Sequence, residues 1–277
     1  MKLTRCSCTD IREYYNLGHD TALSQFEPSR FPENESTYAF FFGGIGDARH
    51  LYATLIGIAD HEEKKDVKNH KYHFTINDVK PHVLARNVLI FLLLSQLGKL
   101  PQEKTPEEQS KESDILTLLF FVYVGVLIPP RVHSHLMLLI NTAKNALLNS
   151  NENLPEWLWV SEQDRLIILL VYKSWSTSAG SIVSTQQAQA GISDSGRMAP
   201  PSFAPKGCER EHAAYKKAGV LWPPAATRKE HDPRMDSLVT GKESGWEKKL
   251  KAIVGKKWKI NATLVDEDWF RRYDYSS

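Results

Sequence analysis

The chain has 277 residues, 42% of them hydrophobic, enough to bury a core without disulfide or metal staples. With 35 Lys and Arg against 33 Asp and Glu, its formal charge of +2 excludes a whole-molecule electrostatic signal for nucleic acid or an anionic membrane. Cys6, Cys8 and Cys208 are too few and too badly spaced for a disulfide framework or a four-ligand zinc site, and the opening stretch has charges and tyrosines where a signal peptide needs an apolar run. A reducing compartment, cytoplasmic or nuclear, is expected.

Residues 1–35 hold scattered aromatics with Pro28, Pro32 and Asn34 and no sustained periodicity, which describes an irregular arm. From Tyr38 the run Tyr-Ala-Phe-Phe-Phe is short, apolar and aromatic, and it ends at Gly43, Gly44 and Gly46, as a buried parallel strand does when it feeds a tight turn. Helix is expected over 48–59, followed by a charged, solvated stretch over 61–70. The β-branched and aromatic residues of 72–76 then predict a second strand, with Asp78 at its exit. Pro81 suits a first helical turn, because no hydrogen bond is lost there, and the apolar run from Val83 to Leu97 continues that helix.

Loop is expected over 101–113. Beyond it come three helical runs, 114–127, 132–148 and 163–175, the first stopped by Pro129 and Pro130. The apolar runs 88–94 and 115–128 are shorter than the roughly 20 residues that span a bilayer, so they read as buried helices and no membrane partner is expected. Composition shifts to Ser, Gln, Ala, Gly and Pro over 176–207, the signature of a flexible linker. The resulting organisation is an arm (1–35), an α/β domain with a helical extension (36–175), the linker, and a basic, partly helical C-terminal region (208–277). Between Lys206 and Ala262 there are 14 basic and 7 acidic side chains, a local charge of +7. Helices are expected there over 209–218 and 246–254, and further strands of the sheet are sought at 157–160 or 260–265.

The candidate chemistry lies at the first turn. In a Rossmann-like fold a strand bends sharply into a helix whose free amides face the ligand, so glycines are required at the bend, and Gly44 and Gly46 supply them. A carboxylate at the end of the second strand then takes hydrogen bonds from ribose hydroxyls; Asp78 occupies that place, about 30 residues downstream instead of the roughly 20 of the dinucleotide fingerprint. Asp47 follows the turn as a helix N-cap or a ligand contact. Arg49 and His50 lie in the first helical turn, where a cation opposes the helix dipole, so Arg49 answers either an anionic ligand or a carboxylate such as Asp78. Asp78 has its own alternative, capping the helix at Pro81, and Arg86 with Asn87 is expected to hydrogen-bond the glycine turn.

The segments Gly44-Ile45-Gly46-Asp47-Ala48-Arg49-His50 and Phe74 to Leu89, with Asp78, Pro81, Ala85, Arg86 and Asn87 among their motif positions, resemble the fungal domain of unknown function 4470. That domain is also similar to the amino-terminal region of an axonemal dynein assembly factor. The resemblance runs strongly over 38–97 and more loosely to Trp175. It implies an α/β, Rossmann-like parallel sheet of methyltransferase type, of which this sequence marks only two strands and so an incomplete sheet is allowed for, with a large helical portion, and it assigns no catalytic residue. Ile45 stands where related sequences often carry cysteine, and the cysteine count excludes the MYND zinc finger of some relatives.

Two functions follow from different readings of the same turn. One is a non-catalytic binding or assembly module with a protein partner and no established cofactor. The other is a class I methyltransferase in which Gly44, Gly46, Asp47, Arg49 and Asp78 bind S-adenosylmethionine. Against the enzyme, the acidic residue that ordinarily precedes the glycines is absent, since the strand ends in Phe41 and Phe42, and no Asn-Pro-Pro-aromatic site occurs. His133 and His135, two apart on a helix, point to different faces and make a poor metal pair. A third reading has the C-terminal lysines bind nucleic acid, with Trp246 and Trp258 as stacking surfaces; its alternative is an amphipathic helix with solvated lysines. Asn261-Ala262-Thr263 would be glycosylated only in a secreted protein.

Overall fold

A computed structural model describes residues 21–31, 35–65, 70–149, 153–177, 185, 209–218, 220–221, 233–240 and 244–264. The three cysteines and nearly all of the expected linker lie outside these residues, as does the start of the arm.

The aromatic run forms strand β1 (Thr37–Gly43), and strand β2 (Lys71–Asn77) lies parallel to it in unbroken register from Thr37 opposite Lys71 to Gly43 opposite Asn77. Alternation decides which side is covered. Tyr38, Phe40 and Phe42 point inward beside Tyr72, Phe74 and Ile76, with Phe40 stacked on Phe74 at 5.2 Å between ring centroids. The arm supplies a lid to this aromatic layer, because Phe31 meets both Tyr38 and Phe40 and Phe26 stacks on Phe31. Thr37, Ala39 and Phe41 face the other way and are exposed.

Between the strands runs α1 (Arg49–Lys65), longer than the expected 48–59. Its last turns take in part of the charged stretch, where Glu62 accepts a hydrogen bond from the Tyr72 hydroxyl at 2.9 Å. After β2, α2 (Pro81–Gly98) begins on the proline as expected and becomes the central helix of the molecule. By length and composition it could cross a membrane, but here its apolar surface is covered by neighbours: every residue from Ala85 to Leu93 is buried.

The helical portion comprises α3 (Pro106–Val124), α4 (Pro130–Leu148) and α5 (Glu162–Thr177), with α2 packed on all three. Two boundaries differ from expectation. Helix α3 starts inside the stretch expected as loop, because Thr105 and Glu108 form a reciprocal capping box that satisfies the first free amides. It stops at Gly125, ahead of the prolines, where the backbone turns extended (φ −86°, ψ 105°), and only glycine fits there, because a Cβ would lie 2.8 Å from the Phe121 ring and 2.9 Å from the Phe121 carbonyl. The chain then extends as β3 (Leu127–Ile128).

Helices α6 (Glu209–Ala218), α7 (Pro233–Thr240) and α8 (Trp246–Lys257) pack on one another and share one apolar cluster with α2 to α5. Strand β4 (Lys259–Ile260) pairs antiparallel with β3. Asn261 fastens the join: its Nδ2 donates to the carbonyls of Phe121 at 3.0 Å and Gly125 at 2.9 Å, and its Oδ1 accepts from the Thr263 amide and hydroxyl. The sequon is thus a buried bracket at the end of α3. Trp246 and Trp258 are also buried, Trp258 edge-on to Phe121, so neither indole is a stacking surface, while Lys248, Lys249, Lys251, Lys256 and Lys257 face outward.

The molecule is a mixed α/β protein of mostly helical content with a small parallel sheet. Among the described residues the parallel sheet has two strands; 157–160 is not a strand, and 259–260 joins β3 instead of extending β1 or β2. The two paired strands are the two that the sequence marks, and neither segment sought as a further strand joins them. Val160 of this segment is buried in the helical core, while Trp157 touches Phe91 of α2 edge-on and stays 62% exposed.

Candidate functional site

Gly43 ends β1, and the backbone reaches α1 through three left-handed residues, Gly44 (φ 66°), Gly46 (φ 52°) and Ala48 (φ 59°). The glycines reach that region at little cost, whereas Ala48 adopts it with a fully buried methyl group; its position was not legible from the spacing. A Cβ on Gly44 would meet nothing within 4 Å, so Gly44→Ala isolates the backbone term and is expected to lower stability by about 1–2 kcal/mol in urea unfolding. Gly98→Ala, also in open space but at the helical end of α2, is expected to change stability in the opposite direction by roughly 0.5 kcal/mol. Equal effects of the two would show that the turn does not hold its left-handed form.

The turn is tied to β2 and α2 by its own polar groups. The Ile45 amide donates to the Asn77 carbonyl at 3.0 Å, and the Gly46 amide donates to Asp78 Oδ2 at 3.1 Å. Asp78 Oδ1 accepts from the Lys80 amide at 2.9 Å, so the one carboxylate braces the turn and leads the chain into α2. From below, Asn87 Nδ2 donates to the Gly46 carbonyl at 3.0 Å. The expected pairing of strands, the Asp78 approach to the bend and the Asn87 contact are all present in this geometry.

Asp47 is almost fully buried and acts as a cap, its Oδ1 accepting from the Arg49 amide at 3.3 Å. Arg49 Nε lies 3.5 Å from the same oxygen, so Arg49 pairs with Asp47, the carboxylate nearer in sequence, where a pair with Asp78 was considered. His50 is turned to the arm, with Nδ1 3.1 Å from the Leu23 amide, and Thr54 takes the Gln25 amide at 2.9 Å.

Beneath the turn sits Arg86, with no solvent exposure. Burial presses its pKa below the ordinary arginine value, and the Asp47 carboxylate leads the groups that oppose this, followed by Tyr123, Tyr52 and Asp78. A guanidinium does not give up its proton in a protein, so this is a buried cation held among carboxylates and phenols. The phenols respond in kind. Burial and Asp47 raise Tyr123 to about 12, and burial with Tyr123 raises Tyr52 further. Tyr123 reaches over from α3 and donates to the Asp47 carbonyl at 3.1 Å, joining the helical portion to the turn. Tyr172 of α5 does the same for α2, donating to the Ala85 carbonyl at 2.9 Å in a fully buried contact.

Gly44, Gly46, Asp47, Arg49 and Asp78, the residues singled out as cofactor contacts, therefore converge on one turn. Tyr52 and Tyr123 belong to the same constellation and were missed, since neither carries a motif. Tyr123 is 76 residues from its acceptor, beyond the reach of any local pattern.

The site defines a mixed α/β protein built on a strand, glycine turn, helix and parallel strand, in which a buried arginine supports the turn. Residues 16–123 match the family model of a domain of unknown function, DUF4470. The match runs from the arm to Tyr123, so it contains the whole constellation around the turn. No curated protein and no solved structure matches the chain.

Proposed function

We propose that the protein is a non-catalytic binding or assembly module whose Rossmann-like, methyltransferase-type half serves as a scaffold. The observation that carries this reading is the state of Asp78: one carboxylate oxygen accepts from the Gly46 amide of the turn and the other from the Lys80 amide of its own loop. The group that would hold a ribose is engaged in bracing the turn, and the Ile45, Gly46 and Arg49 amides are occupied as well. A protein partner has apolar surface to meet. Leu166 and Leu170, one turn apart on α5, are 58% and 67% exposed, with Ile167 beside them and Trp157 and Trp159 exposed just before the helix.

The test is a Leu166→Glu, Leu170→Glu double variant, which should melt within about 0.5 kcal/mol of the wild type because both sites are on the surface. Wild-type protein isolated from its native cells after crosslinking should carry a stoichiometric protein partner, and the variant should carry less. A wild type that is recovered alone would end the binding-module reading.

The alternative, an S-adenosylmethionine-dependent class I methyltransferase, draws support from the left-handed Gly44 and Gly46 next to Asp78 on the parallel strand. It is separated by thermal melting with S-adenosylmethionine or S-adenosylhomocysteine, since a ligand at 100 times its Kd stabilises by about 2.7 kcal/mol. No shift at millimolar ligand is expected. An upward shift that disappears in Asp78→Ala would replace the module with the enzyme. Nucleic-acid binding by the C-terminal region is the weaker alternative: the outward lysines of α8 favour it, the inward indoles do not, and it requires binding that falls steeply with salt.

A further inference from the structure

We draw no further inference here: the strongest candidate, the open face of the β1 and β2 sheet where Phe41 stands 68% exposed opposite Thr75, sets this ring among polar neighbours such as His73 and Lys71 and nothing in the structure shows what covers it.

Discussion

Replacing Arg86 with methionine is expected to destabilise the protein by about 3 kcal/mol, the lower end of the range for removing one member of a buried ion pair. Methionine keeps much of the side-chain volume, so the loss isolates the charge. What remains after the substitution is a nearly buried Asp47 carboxylate whose compensation falls to Arg49, together with an Asp78 that has lost a neighbouring cation. Urea unfolding gives the magnitude directly. Arg86→Lys should recover only part of it, because a compact ammonium cannot match a planar guanidinium among several acceptors. Adding Asp47→Asn to Arg86→Met should make the pair less damaging than the sum of the single changes, since the stranded charge is then gone. If Arg86→Met shifted stability by less than about 1 kcal/mol, the guanidinium would not be the support of the turn.

Asn261→Ala should cost a similar amount, about 3 kcal/mol, for a different reason. Four hydrogen bonds end on this fully buried amide, and its removal leaves the Gly125 carbonyl and the Thr263 amide short of partners inside the core, while the Phe121 carbonyl keeps the Gly125 amide. Each buried group left unsatisfied costs roughly 1–3 kcal/mol, and partial relaxation of the short strand pair keeps the total below the sum. The melting temperature is expected to fall by roughly 2–4 °C for each kcal/mol lost in a chain of this size. Hydrogen exchange adds a spatial readout, with faster exchange expected at the last turn of α3 and at the Asn261 amide bonded to Val126. Unchanged exchange at those positions would show that the C-terminal residues do not secure α3.

The elements near the turn were readable because their causes are local. An aromatic run cannot stay in water, glycines release the backbone into left-handed conformations, and Pro81 fixes a first helical turn without losing a bond. The same locality exposed Asp78 and Asn87 as partners of the turn, since each is placed by the strand and helix that carry it. Boundaries failed where a small local device was overlooked. Thr105 with Glu108 is a capping box written in the sequence, and Gly125 stands where α3 ends, at a place with no room for a side chain.

The bracket at Asn261 and the reach of Tyr123 had no such signature. Their acceptors lie 136 to 140 residues away for Asn261 and 76 for Tyr123, and only close packing of the helices brings them within hydrogen-bond distance. The inward turn of Trp246 and Trp258 is of the same kind: helical spacing puts them on a face, but the neighbouring helices determine that the face is buried.

By itself the sequence determined the strand, turn, helix and parallel strand, and placed glycines and carboxylates at one bend, because backbone preference and hydrophobic alternation act over a few residues. Tertiary structure decided how those groups are used: Asp78 braces the bend, Asp47 holds Arg49 and faces a buried Arg86, and distant phenols close over them. The cost of burying a charge depends on everything packed around it, and that surrounding is a property of the folded chain.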